Sequence, residues 1–188
     1  MIILVECRDR NVSRFCMENE GDSAELIESI RPSELFRQPH LRVQAGKSGS
    51  IFIMNEVESI RFVTSIRVKH QGLPPVRDFQ SLTERDYAVA LRGLRDRYEP
   101  MNDLFLPGTE VETLFAVNCV SGRVHFLKAD VVLGHRLEQT LDMRTGLERL
   151  TAMIPCPDGY LAINPVNITK IEMYPSPPVP DHGGWLVD

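Results

Sequence analysis

Chemistry needs particular side chains at particular spacings, and this 188-residue chain carries only fragments of such patterns. Its five histidines are His40, His70, His125, His135 and His182, and no two stand four residues apart, so no helix face offers a metal-binding pair. Cys7, Cys16, Cys119 and Cys156 are widely scattered; without a Cys-x-x-Cys they write neither a structural zinc site nor a dithiol redox motif. Ala45-Gly-Lys-Ser48 has the closing residues of a phosphate-binding loop. The glycine such a loop needs five positions before Gly46 is replaced by Leu41, and a strand pattern follows in place of the helix whose N-terminus would hold the anion. No Gly-x-Ser-x-Gly elbow presents a serine nucleophile. The acidic pairs Glu18/Glu20 and Glu56/Glu58 alternate with other residues along expected strand edges, which reads as a solvated face rather than an acid–base pair. The expectation is a chain with no catalytic residue, no bound cofactor and no metal site.

The basic residues allow a binding reading. Arg8, Arg10 and Arg14 cluster near the start, and Arg67, Lys69 and His70 form a second short stretch. Arg10-Asn-Val-Ser-Arg14 has the arginine spacing of cyclic-dinucleotide-binding β-barrels of the PilZ type, but the Asp/Asn-x-Ser-x-x-Gly element those domains need is absent. Trp185, the one tryptophan, stands in the Pro/Gly-rich tail Ser176–Asp188 and is a further contact residue for a partner or for the chain's own surface. Net charge is −5 and evenly spread: residues 1–65 carry 8 basic and 10 acidic groups, 66–112 carry 7 and 8, and 113–188 carry 6 and 8. A nucleic-acid binder concentrates positive charge to displace counterions from phosphates, and no third of this chain does so. Nucleic acid is therefore the second choice of partner, behind protein.

The 43% apolar and 25% charged fractions are those of an ordinary globular protein. The opening apolar run Met1-Ile-Ile-Leu-Val5 ends at Glu6, too short for a signal-peptide core, and no run reaches membrane-spanning length. A cytoplasmic protein with reduced, buried thiols, away from the membrane, is expected.

The elements that must position these residues come in a repeating order. Gly49-Ser-Ile-Phe-Ile-Met-Asn55 leads through a turn into Val57–Val63; Gly159-Tyr-Leu-Ala-Ile-Asn164 leads through a turn into Ile168–Tyr174. The asparagines lie 109 residues apart and the following strands align best at 111, which predicts a turn two residues longer in the second copy. The first unit, residues 1–65, has strands at Met1–Glu6 and Ser13–Met17, a helix opened by the capping box Asp22-Ser-Ala-Glu25 and stopped by Pro32, and a hairpin around Gly46-Lys-Ser-Gly49. The second unit, residues 112–176, has a hairpin around Val120-Ser-Gly122, a short helix at Leu137–Leu141, a second capping box at Thr145-Gly-Leu-Glu148 and a turn at Pro155-Cys-Pro-Asp-Gly159. Between them, residues 66–111 read as a linker through Gly72-Leu-Pro-Pro75 and an amphipathic helix behind Ser81-Leu-Thr-Glu84. Its Tyr87, Leu91, Leu94 and Tyr98 make one apolar stripe. Residues 177–188 form the tail.

Gly159-Tyr-Leu-Ala-Ile-Asn164 with Ile168 and Ile171 resembles the closing strand pair of Sm-like small β-barrels. With Ser121-Gly-Arg-Val-His-Phe126 and Arg136-Leu-Glu-Gln-Thr-Leu141, the stretch also resembles bacterial domains that end a short β-unit in a similar phrase. The helix-first order of Sm proteins and their RNA-contacting residues have no counterpart here, so the resemblance implies fold and not binding residues. The reading is α+β, mainly β: two similar small antiparallel β-units, barrel-like or sandwich, each with a short helix and joined by the longer one. Such a scaffold, with no catalytic signature, is expected to be a non-enzymatic cytosolic adaptor or regulatory module that binds protein. The alternative is an RNA- or nucleotide-binding β-module, and a homo-oligomer is compatible with either.

Overall fold

A run of β-branched and apolar residues makes β1 (Ile2–Cys7), with Ile3 and Val5 pointing into the core. The chain reverses through Arg10, at a φ of 68°, into β2 (Val12–Cys16). The computed structural model describes residues 1–45, 48–67, 76–101, 106, 108–132 and 153–176. Within them lie α1 (Glu20–Ser29), a single turn α2 (Pro32–Leu35), β3 (His40–Ala45), β4 (Ser48–Ile53), β5 (Val57–Val63), β6 (Val76–Leu82), α3 (Glu84–Tyr98), β7 (Glu110–Cys119), β8 (Val124–Val132), β9 (Ile154–Cys156), β10 (Gly159–Ile163) and β11 (Ile168–Tyr174). No described helix is long and apolar enough to cross a membrane.

Both longer helices start at a different cap from the one the sequence suggests. The Asn19 side-chain Oδ1 accepts from the backbone N–H groups of Gly21 and Asp22, so α1 opens ahead of the predicted Asp22 box. Ser81 is paired in β6, and Thr83 caps α3 instead, accepting from the Asp86 N–H while its hydroxyl donates to the Asp86 carboxylate. The predicted stripe of α3 is real: Leu94 and Tyr98 are buried, and Tyr87 and Leu91 pack beside them over β7, β8 and β11.

The chain is mainly β, arranged as a five-stranded sheet in the order β2-β1-β5-β10-β9, a four-stranded sheet in the order β11-β7-β8-β6, and the hairpin β3-β4, all antiparallel. The residues read as a plain linker thus contain β6, a strand paired to β8. Hairpin β1–β2 has β5 on the far side of β1, and hairpin β7–β8 has β11 on the far side of β7. Both β5 and β11 follow a three-residue 3-10 turn, Met54–Glu56 and Pro165–Asn167.

Those turns have equal length, which corrects the expectation of a longer second turn. Ile53 and Asn164 precede them, and Val57 and Ile168 follow them. Each pair stands 111 positions apart, so Asn164 occupies the place of Ile53 and not of Asn55. The turn expected at 155–159 is also tighter, because Ile154–Cys156 is already strand. The predicted helix at Leu137–Leu141, the box at Thr145–Glu148, the Gly72–Pro75 linker and the tail from residue 177 lie outside the described residues.

The two ends of the chain meet edge to edge, not face to face: β10 pairs with β5 from Gly159↔Val63 to Ile163↔Ser59. Alternation along β10 then serves two cores. Tyr160 and Ala162 join Ile3, Val5, Ile60 and Phe62 in one cluster, while Leu161 and Ile163 join Val117 and Leu127 in another.

Candidate binding surface

The β5–β10 junction is fastened by polar groups that no local pattern announces. Asn164, fully buried, donates through its side-chain amide to the carbonyls of Met54 (2.9 Å) and Val57 (2.8 Å). Asn167 donates likewise to Asn55 (3.1 Å) and Val57 (2.7 Å). The second turn therefore satisfies the backbone of the first.

Beside this clamp lies a buried charged seam. Glu58 on β5 is 0% exposed, and its carboxylate accepts from the Ser121 N–H (2.9 Å), the Ser121 hydroxyl (2.7 Å) and the Arg123 guanidinium (2.8 Å). Arg123 also faces Glu6 at 3.7 Å, and Glu6 accepts from the Ser59 hydroxyl. The expectation of a solvated Glu56/Glu58 face is corrected for Glu58, because β10 and the β7–β8 turn cover the strand that carries it. Glu56 does stay exposed, paired with Arg8 at 3.5 Å. His125 is buried next to this seam, and burial pushes it down to about 4; Arg123 and Arg61 push the same way, while Glu6 and Glu58 oppose them. Burial drives the Cys119 thiol up to about 12 and raises Cys7 and Cys156, which removes thiolate character from all three. Cys16, expected to be buried, lies exposed on β2.

The arginines singled out from the sequence do not converge on an open anion site. Arg10 reaches across to the Ser121 carbonyl through Nε (2.9 Å) and Nη2 (2.8 Å), and Arg8 is held by Glu56. Arg14 projects from the exposed face of β2, and Arg67 is exposed past the end of β5. Lys69, His70 and Trp185 lie outside the described residues. Among the described residues no three His, Cys, Asp or Glu side chains stand close enough to hold one metal ion. A shallow cleft of about 410 Å³ lies beside β1, lined by Met1, Glu18, Glu20, Ser23 and Thr64 among others.

What sequence reasoning missed is a pair of strand edges. β5 and β10, which bond to each other, are buried at five of seven and five of five positions. The strands at an offset of 111 residues from them, β11 and β4, have no such cover: neither has a single buried residue. Among the described residues β4 bonds only to β3, and β11 only to β7. β4 carries no charge and no proline, the two usual guards of an open edge, and its Ile51 and Ile53 are 69% and 61% exposed. The signal that could have found it is the same Gly-Ser-Ile-Phe-Ile run read as an unprotected strand rather than as half of a repeat. The chain matches no protein-family model, no curated protein and no solved structure.

Proposed function

We propose that this chain is a non-enzymatic protein-binding module, a cytosolic adaptor or regulator built from two related β-units, residues 1–65 and 112–176. The reading of related units draws support from the shared order hairpin, closing strand and three-residue turn, and from the constant 111-residue offset across both turns. The observation that carries the functional reading is the unguarded edge of β4. A strand paired on one edge to β3 and unpaired on the other among the described residues, with two exposed isoleucines, is suited to receive a strand from a protein. The commitment of Arg8 and Arg10 to Glu56 and Ser121 weighs against the alternative of RNA or nucleotide binding, since each loses donors that a phosphate would need.

The test places a photo-crosslinking residue at position 51, and in a second variant at position 14, and irradiates native cells. Protein adducts concentrated at position 51 are expected. Adducts to RNA at position 14, with none to protein at 51, would replace this function with the alternative.

A further inference from the structure

We infer that the open edge of β4 pairs with the open edge of β11 in a second copy of this chain, giving head-to-tail assembly; this rests on the protein-binding reading above and names its partner. The argument is that the chain already contains the interface once. β10 and β5 form it internally, and β4 and β11 are the strands that stand in the same places relative to their own hairpins and turns. Shifting the internal register by the 111-residue offset predicts the intermolecular one: Ser48↔Tyr174, Gly49↔Met173, Ser50↔Glu172, Ile51↔Ile171 and Phe52↔Lys170.

One side-chain face fits this register, while on the other Lys170 and Glu172, paired with each other at 2.6 Å, stand opposite Phe52 and Ser50. In the internal contact, Ala162 of β10 extends the core that contains Ile60 of β5, its ladder partner. In the predicted contact Ile51 takes the place of Ala162 and Ile171 that of Ile60. Ile171 is half-buried at the margin of the core formed by Val117, Leu127 and Leu161, so an added strand would continue that core over Ile51. Phe52 on the opposite face stays packed in its own copy.

The turn completes the match. Internally Asn164 and Asn167 clamp the Met54–Glu56 turn. The corresponding residues on the free edge are Ile53 and Glu56, and the turn they would meet is Pro165–Asn167, where Val166 is 62% exposed. An apolar contact between Ile53 and Val166 replaces a polar clamp, covering two exposed side chains at once. Without the four asparagine donations this contact is weaker than the internal one, which suits reversible assembly. A single association leaves one β4 edge and one β11 edge free, so assembly either closes, by reciprocal pairing of two copies or in a larger ring, or grows as a chain.

The experiment uses the full-length protein alone. Sedimentation from about 1 to about 100 µM is expected to show association, weakened at least tenfold by Ile51→Lys with the far-UV spectrum unchanged. In a Cys16→Ser background, Ile51→Cys chains mixed with Ile171→Cys chains are expected to form the mixed disulfide in preference to either like pair. Ile53→Lys, on the same exposed face, gives an independent second reading of the sedimentation result. A monomer at every concentration, oligomers indifferent to both lysines, or Ile51→Cys chains linking to one another would overturn the inference. A monomer whose position 51 still captures a different protein in cells would leave the protein-binding function standing while removing self-assembly.

Discussion

At the residue scale, the molecule spends its polar side chains on joining its two ends. Glu58 and Arg123 are 65 positions apart, and Asn164 reaches carbonyls 107 and 110 positions away. Buried charges and amides are tolerated only when their hydrogen-bonding capacity is met, and each here has partners within ordinary distance. Two groups among the described residues are exceptions, Arg61, through its Nε, and His125. The His125 Nε2 is buried without a hydrogen-bond partner among the described residues, and the groups facing it are Glu6, Glu58, Arg61 and Arg123. Because burial holds its folded-state value near 4, below the ordinary 6.5, the unfolded chain takes up a proton first as pH falls. Stability is fully present above pH 6.5 and declines as pH drops towards 4, by up to about 3 kcal/mol. Urea unfolding at pH 7 and pH 4.5 should show this slope in the native protein and a much smaller one in His125→Gln. Equal slopes in the two proteins would remove His125 as the cause.

At the element scale, close backbone approach decides which glycines matter. Gly159 opens β10 at a φ of 148°, and a Cβ built there would stand 1.9 Å from the Phe62 carbonyl oxygen and 2.9 Å from the Thr64 nitrogen. Neither can retreat without breaking the β5–β10 ladder. Gly122, at a φ of 81° in the β7–β8 turn, meets only the Arg10 Nη2 at 3.1 Å, the mobile end of a long side chain. Gly159→Ala is therefore expected to cost about 3 kcal/mol or more, and Gly122→Ala about 1 kcal/mol, by chemical denaturation. Comparable losses at the two sites would mean that the tight approach at β5 does not hold in solution.

Elements with a strong local signature were legible from sequence. β7 contains the apolar run Leu114-Phe-Ala-Val117, β5 ends in Ile60-Arg-Phe-Val63, and α3 has an apolar stripe at helical spacing. β6 was not legible, because Val76-Arg-Asp-Phe-Gln-Ser-Leu82 mixes polar and apolar positions without alternation and is defined by its pairing to β8. The caps slipped by a few residues for a related reason: Ser81 and Thr83 are equally good caps in isolation, and only the ladder that claims Ser81 decides between them. The burial of Glu58 was hidden because its partners arrive from a different third of the chain.

At the scale of the whole molecule, residues 1–65 and 112–176 share the five-stranded sheet through β5 and β10. β10 contributes Tyr160 and Ala162 to one cluster and Leu161 and Ile163 to another, so removing that strand opens both. A segment of about 60 residues is marginal alone, and β5 of the first 65 residues is completed here by β10. The chain should accordingly unfold in one cooperative transition, with fluorescence and far-UV circular dichroism tracing the same curve. The isolated segment 1–67 exposes the side of β5 that β10 normally covers, including the wholly buried Glu58, and is expected to be unfolded or aggregated when expressed alone. Two separable transitions, or a well-folded 1–67 fragment, would show that β5 does not need its partner. The logic that makes β4 and β11 adhesive between copies would then fail with it, because it rests on the same pairing being a principal source of order within the chain.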